Sequence, residues 1–363
     1  MEDKLTTHRG TAARLWREVS RFTLASLALA SGMMALFSST QAAEDNTVTI
    51  DSWGGTTQDL ERTSVWQPIA KELGISIKED TIGANSDIKA RVQANANTWD
   101  IVDISSGAAV DFANQGLLEP LNYQVIDTKG TDPSVVQPDW VGWYYFSTLM
   151  AWNKDAIKGA QPTGWKDFWD TKNFPGPRSL YNDAFGTLEF ALMADGVPVD
   201  KVYPLDVDRA FRKLEEIRPA LKVWWKSGAQ SVQLITSGEV NFIPMWNARA
   251  MVASQTGNVG YTYNQGILDF ETLVIPKGAP HAALAQKVIA RIIAADHEAS
   301  FARALHYGPA NALAFEGGRI PEDDAKLLPS APENKKLQAV TDPTWWLEHQ
   351  EAVTERFQNF LQK

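Results

Sequence analysis

Trp99-Asp-Ile-Val-Asp-Ile-Ser105 is an apolar run that gives way at once to Ser105, Ser106 and Gly107 and then to a helical stretch, and its reading as a strand decides the fold. Upstream of it, Asp87 to Ala96 has helical spacing, Ile75 to Asp80 reads as a strand and Asp59 to Leu73 as a helix. Val48-Thr-Ile-Asp-Ser-Trp53 is a further strand, closed by a turn at Gly54 and Gly55. Strand and helix therefore alternate, which is the pattern of a parallel sheet. Ligands of such sheets sit beyond the carboxyl ends of the strands, where Trp53 and Ser105 both fall. Downstream, Tyr144 to Trp152 is another apolar strand. The alternation then restarts with Trp165 to Trp169, Arg178 to Tyr181 and a long helix from Asp206 to Leu221, and the strands Glu239 to Trp246 and Leu268 to Ile275 follow. The expected architecture is two α/β lobes crossed by strands near 147–153 and 267–275.

Composition removes several classes of function. The 363 residues include no Cys, which excludes disulfides, Cys-ligated zinc, iron–sulfur clusters and thiol catalysis. A formal charge of −10 argues against general affinity for nucleic acid or anionic membrane, and favours a cation wherever charge selects the partner. The amino-terminal end reads as an export signal. Arg9, Arg14, Arg17 and Arg21 precede the apolar run Phe22 to Phe37, which leads into the small residues around Ala42 and Ala43. That run is short of the roughly 20 residues needed to span a bilayer, so cleavage near Ala43 and a periplasmic product are expected.

The search for catalytic motifs is negative. No phosphate-cradling glycine loop, nucleophile elbow or zinc-binding H-E-x-x-H helix occurs, and His281, His297, His306 and His349 include no pair four residues apart, so neither cofactor nor metal is expected. Among the carboxylate pairs, Asp100/Asp103 and Asp206/Asp208 read as capping or solvated groups. Asp269 and Glu271 differ, because in Gly266-Ile-Leu-Asp-Phe-Glu-Thr-Leu-Val-Ile-Pro276 they share one face of an otherwise apolar strand. Such a pair needs a partner: a neighbouring cation such as Arg249, or a bound one. Fourteen Trp point the same way, since a Trp face attracts a desolvated ammonium with about 0.5–2 kcal/mol. Aromatic walls with acidic ends suit an organic amine.

Trp225-Lys-Ser-Gly-Ala-Gln-Ser-Val-Gln-Leu-Ile-Thr-Ser-Gly-Glu-Val240, Met245-Trp-Asn-Ala-Arg249 and the strand Gly266 to Pro276 resemble the periplasmic solute-binding proteins of ABC transporters, within them the spermidine/putrescine-binding branch. Tyr181-Asn-Asp-Ala184 and His306-Tyr-Gly-Pro-Ala-Asn311 extend the resemblance over nearly all of the chain after the signal. It implies a two-lobed periplasmic binding protein fold of type II, with a hinge of crossing strands and the ligand in the cleft. One lobe would hold residues 44–149 plus about 273–326, the other about 150–272 plus 327–363. It also implies no enzyme activity, a monomer, delivery of the solute to permease subunits in the inner membrane, and no nucleic-acid partner.

Carried over by position, the resemblance makes Trp53 an aromatic wall, Ser105 a hydroxyl ligand and Asp183 a carboxylate that pairs with an amine. Trp246 falls on a Trp that stacks against an alkyl chain, Glu271 on a second acid, and Tyr307 on a wall residue near the mouth. The departures are as informative. Gly186 stands where polyamine binders place another acid, Asp269 where they have a Trp, Gly107 where they have an aromatic, and Trp346 where they have a Gln. Lys226, Ser227, Gln230 and Arg249 add donors that could receive a carboxylate. The expected solute is a small organic cation of polyamine type; a zwitterion such as 4-aminobutyrate or a betaine is the alternative. A solute-sensing receptor and a secreted carboxylate hydrolase remain as rival classes.

Overall fold

A computed structural model describes residues 46–81 and 85–362, and the expected export signal lies outside them. Ten strands form one mixed sheet: β1 (Thr47–Ser52), β2 (Ser76–Thr81), β3 (Ile101–Ser105), β4 (Trp140–Asn153), β5 (Arg178–Tyr181), β6 (Leu221–Trp225), β7 (Phe242–Trp246), β8 (Val259–Val274), β9 (Gly308–Pro309) and β10 (Ala339–Val340). The order β2-β1-β3-β8-β4-β7-β5-β6 has two long antiparallel strands, β4 and β8, at its centre. Parallel strands flank them on each side. The edge strand β2 is mostly exposed and carries Lys78, Glu79 and Asp80, charges that keep an open edge from pairing with another chain.

This is the two-lobed α/β fold, and its buried side chains gather on either side of the β4–β8 pair. Val48, Ile50, Trp66, Ile101, Trp143, Leu273 and Phe301 pack together, with Ile104, Phe112 and Val274 in the adjoining cluster. Met150, Trp165, Phe168, Leu188, Phe242, Trp345 and Phe357 form the second group, continued by Trp225, Ile243 and Met245. Between the groups, buried Asn247 accepts the Ser147 N–H at 3.0 Å and donates to the His306 carbonyl at 2.8 Å.

Among the elements that depart from the sequence reading, three have a clear physical reason. The helix that begins at Asp206 ends at Ile217, because Pro219 lacks the N–H to continue it, and Leu221 opens β6 instead. Helix Ala184–Ala194 escaped the reading because it is apolar all round and broken near its start, where Gly186 takes φ +79°. Helix Pro343–Leu361 also escaped it, although Asp342 caps it by accepting the Trp345 N–H at 2.9 Å and Pro343 occupies its first turn.

Candidate functional site

A cleft of about 820 Å³ opens where the carboxyl ends of β1, β3, β5 and β7 meet the middle of β8. Each strand end delivers lining groups: Trp53 follows β1, Ser105 ends β3, Tyr181 and Asp183 stand at and beyond the end of β5, and Trp246 ends β7. Asp269 and Glu271 rise from β8, and Tyr307 precedes β9. Seven of the ten residues singled out in the sequence thus line one cavity. No Lys or Arg is among the described residues that line it.

The other three lie elsewhere, and their side chains have local work. The Ser227 hydroxyl caps helix Gly228–Thr236 by accepting the Gln230 N–H, and the Gln230 side chain in turn accepts the Lys226 N–H at 2.8 Å. Arg249 is exposed one turn into helix Asn247–Ser254, beside Gly228 and behind the Trp246 ring. None of them is among the cleft-lining groups.

Aromatic side chains make most of the walls. Trp53 is 41% exposed, free to meet a solute. Trp246 is held edge-on against Trp225 and Tyr181, with ring centroids 5.6 and 6.2 Å away. Tyr307 stacks on Tyr144 at 5.2 Å and leans on Phe146. The carboxyl-terminal helix contributes Trp346, whose indole N–H donates at 2.9 Å to both the Glu189 carboxyl and the Tyr203 hydroxyl. Its neighbour Phe185 completes that wall at a ring distance of 5.4 Å. Tyr144, Phe146, Tyr181, Phe185 and Gln350 were not singled out in the sequence, and Trp346 entered only as a departure from a pattern. The alternation of Tyr144 and Phe146 on β4, opposite Glu271 and Asp269, was the signal available for two of them.

The acids are arranged for a cation. Ser105 and Glu271 are partners across β3 and β8, and Ser106 donates its hydroxyl to Asp269 at 2.9 Å. Neither Asp269 nor Glu271 forms a salt bridge among the described residues, so the neighbouring-cation account of the pair, with Arg249 as partner, is set aside. Burial lifts Asp269 to about 6, while its bonds from the Phe270 amide and Ser106 hold it down. Burial, then the nearby charges of Asp269 and Glu61, raise Glu271 well above the ordinary carboxyl range, and its Oε2 has no hydrogen-bond partner. Asp183 caps helix Ala184–Ala194 by accepting the Phe185 N–H at 3.0 Å, and burial raises its pKa.

Asp100 and Asp103 read as capping or solvated groups, and their burial rules out the solvated alternative. Asp100 accepts the backbone N–H groups of Thr49 and His281, tying β1 to the start of helix Ala282–Ile292. Asp103 accepts the Trp143 indole N–H at 3.3 Å behind the cleft floor. Asp206 is the cap it was read as, and Asp208 pairs with Arg356 on the surface.

Helix Ser106–Asn114 points its amino end into the cleft. Ser105, Ser106, Gly107 and Ala108 all line the cavity, and no side chain caps that end, so its amide N–H groups are available to an anionic group. A Cβ added at Gly107 would meet nothing within 4 Å, so the missing side chain leaves open space in the cleft. The cleft can therefore take a positive group against the acids and a negative one against a helix end.

Residues 65–328 match the family described as bacterial extracellular solute-binding protein. A solved ABC transporter substrate-binding protein from Bradyrhizobium japonicum USDA 110 is 40% identical, with a TM-score of 0.83 over 86% of this chain and 99% of that one. A solved GABA receptor is 38% identical, with a TM-score of 0.78 over 86% and 96%. The gamma-aminobutyric acid-binding protein of Pseudomonas aeruginosa PAO1 is 30% identical over 331 residues, 88% of this chain and 92% of that protein.

Proposed function

The chain belongs to the bacterial extracellular solute-binding proteins, transport proteins rather than enzymes, and from that premise we propose that its cleft captures a zwitterionic amino-acid-like solute of the 4-aminobutyrate type. The observation that carries the reading is the pairing, in one cavity, of the carboxyls of Asp183, Asp269 and Glu271, none of them in a salt bridge among the described residues, with the uncapped end of helix Ser106–Asn114; the fourth lining acid, Asp111, is paired with Lys89. The solute's ammonium would rest on Glu271 and Asp269 between the faces of Trp246 and Tyr307, and its carboxylate on the helix amides and the Ser105 hydroxyl. Relatives at 30% and 38% identity that carry the name of this solute support the same assignment.

Capture proceeds by closure about the β4–β8 pair. Tyr307 packs with one group of buried cores, Trp246 and Trp346 with the other; Trp53 and Ser105 would move with the first and Asp183 with the second, and a solute touching both stabilises the closed state through contacts that the open state lacks. Delivery to an ABC permease follows from the family, and the basic and apolar segment at residues 9–43 would serve as the export signal. No helix among the described residues is long and apolar enough to cross a membrane.

A di- or polyamine is the second reading, favoured by the absence of Lys and Arg among the described residues that line the cleft. Gly186 weighs against it. A polyamine binder places a second acid there, whereas here the position has φ +79°, a backbone that side chains other than glycine rarely adopt. Calorimetric titration with 4-aminobutyrate, putrescine and spermidine separates the two readings: 4-aminobutyrate should bind with one-to-one stoichiometry and the polyamines at least tenfold more weakly, a difference of about 1.4 kcal/mol. Tighter binding of putrescine would replace the first reading with the second.

A further inference from the structure

At and below the cleft floor lies a run of acids of which the proposed contacts use only Glu271. Glu271, 8% exposed, lines the cleft; Asp103 at 1% and Glu61 at 0% are shut away behind it. Asp103 and Glu271 are diagonal neighbours on one face of the β3–β8 pair, because Asp103 opposes Leu273 and Ser105 opposes Glu271. Glu61 closes helix Gly55–Glu61, immediately before a π-helical turn over Arg62–Trp66.

These carboxyls have few partners. Ser52 donates to one Glu61 oxygen at 2.7 Å and Trp143 to one Asp103 oxygen at 3.3 Å. Glu61 Oε1, Asp103 Oδ2 and Glu271 Oε2 are buried and otherwise unpartnered, while the Glu61 and Asp103 carboxyls lie within hydrogen-bonding reach of each other. An ionised carboxylate only accepts, so two carboxyls that meet in this way bond through a proton held between them. The groups facing the trio are themselves acids or phenols: Glu79 acts on Glu61, Asp269 on Glu271, and Tyr144 and Tyr307 stand beside all three or two of them. Arg249 acts on Tyr307, and none of the trio forms a salt bridge among the described residues.

We propose that Glu61, Asp103 and Glu271 form a proton reserve beneath the binding site, such that capture of an ammonium-bearing solute ionises Glu271 and releases about one proton to solvent per solute bound. Glu61 and Asp103 then determine the charge the site will accept without touching the solute. The bookkeeping is simple: the Glu271 carboxylic acid becomes a carboxylate, its proton passes to the buffer, and the ammonium supplies the compensating charge. Burial together with Asp269 and Glu61 disfavours the ionised form of Glu271 in the empty cleft, and a cation in contact reverses that preference. The inference rests on the amine-binding reading above.

Calorimetric titration of the purified protein with 4-aminobutyrate and with putrescine at pH 7, in phosphate, imidazole and Tris, counts the protons directly. The apparent enthalpy should vary linearly with the buffer's ionisation enthalpy, with a slope near one proton released. Glu61→Gln removes a negative neighbour that raises Glu271 and keeps an acceptor for the Ser52 hydroxyl, so more of Glu271 is ionised before the solute arrives; this variant should bind and release less than half as much. Binding with zero slope in the unaltered protein overturns the proton reserve while leaving the solute assignment intact. An unchanged slope in Glu61→Gln removes Glu61 from it. If neither solute binds, the amine-binding reading fails and takes the inference with it.

Discussion

Ser105 at the end of β3 and Glu271 near the carboxyl end of β8 are direct partners across an antiparallel pair, so a hydroxyl and an acid stand side by side on the cleft floor. Glu271 tests the acid's part in that pairing. Glu271→Gln keeps the size and removes the charge, and should weaken 4-aminobutyrate by tenfold or more in calorimetry, about 1.4 kcal/mol. Because the unpaired buried acid is itself costly, the same variant should melt at an equal or higher temperature than the parent. A lower melting temperature with unchanged affinity would mean that Glu271 is structural.

Asp183 combines two tasks that substitution can separate. Its side chain caps helix Ala184–Ala194 and lines the cleft. Asp183→Asn retains an acceptor for the Phe185 N–H and should leave the melting temperature nearly unchanged while weakening binding. Asp183→Ala should add a stability loss of about 1 kcal/mol from the missing cap. Thermal melts and titrations on the two variants read the tasks independently.

Trp346 depends on an acid it does not share with the solute. Its indole N–H and the Tyr203 hydroxyl both bond to Glu189, a carboxyl that burial lifts to about 7 despite those bonds. Glu189→Gln should be tolerated, since the amide oxygen can still accept. Glu189→Ala strands the buried Tyr203 hydroxyl as a donor, while Trp346 keeps its bond to that hydroxyl, and should cost about 1–3 kcal/mol in chemical denaturation.

Stability should fall as pH rises. Glu61 and Glu189 are lifted from 4.5 to about 7, Asp51 from 3.8 to about 7 and Asp269 from 3.8 to about 6, with burial the leading cause in each. Between the unfolded and folded values the native state holds protons that the unfolded chain has lost, so stability decreases with pH across this window. The unliganded protein should therefore melt higher at pH 5.5 than at pH 7.5. Saturation with 4-aminobutyrate should narrow the difference, because a bound ammonium favours the ionised acids.

The strands that frame the cleft were legible because they are short apolar runs bounded by glycine or serine, as in Val48 to Trp53 and Trp99 to Ser105. Their carboxyl ends then pointed to Trp53, Ser105 and Trp246 before any coordinates did. Side chains whose role depends on which face is buried were less legible. Asp103 read as a capping or solvated group, since only the packing of Trp143 and Glu61 behind β3 shows that it is enclosed. Ser227 and Gln230 looked like free donors, yet each is committed to the start of its own helix. Helix Ala184–Ala194 carries no polar stripe to give it a period, and the wall formed by Phe185 and Trp346 went unseen with it. The lining residues Trp346 and Gln350 come from the far end of the chain, brought to the cleft by packing that no local pattern encodes.

Titration of the parent, Trp246→Ala and Glu271→Gln with 4-aminobutyrate, each alongside its own melting curve, tests the central claim most directly. Trp246 packs on Trp225 and Tyr181, so its loss will lower the melting temperature as well, and the melts separate that effect from binding. The account predicts one-to-one binding by the parent, a melting temperature raised by saturating solute, and at least tenfold weaker binding by both variants. Unchanged affinity in both folded variants would contradict it and move the solute away from this cleft.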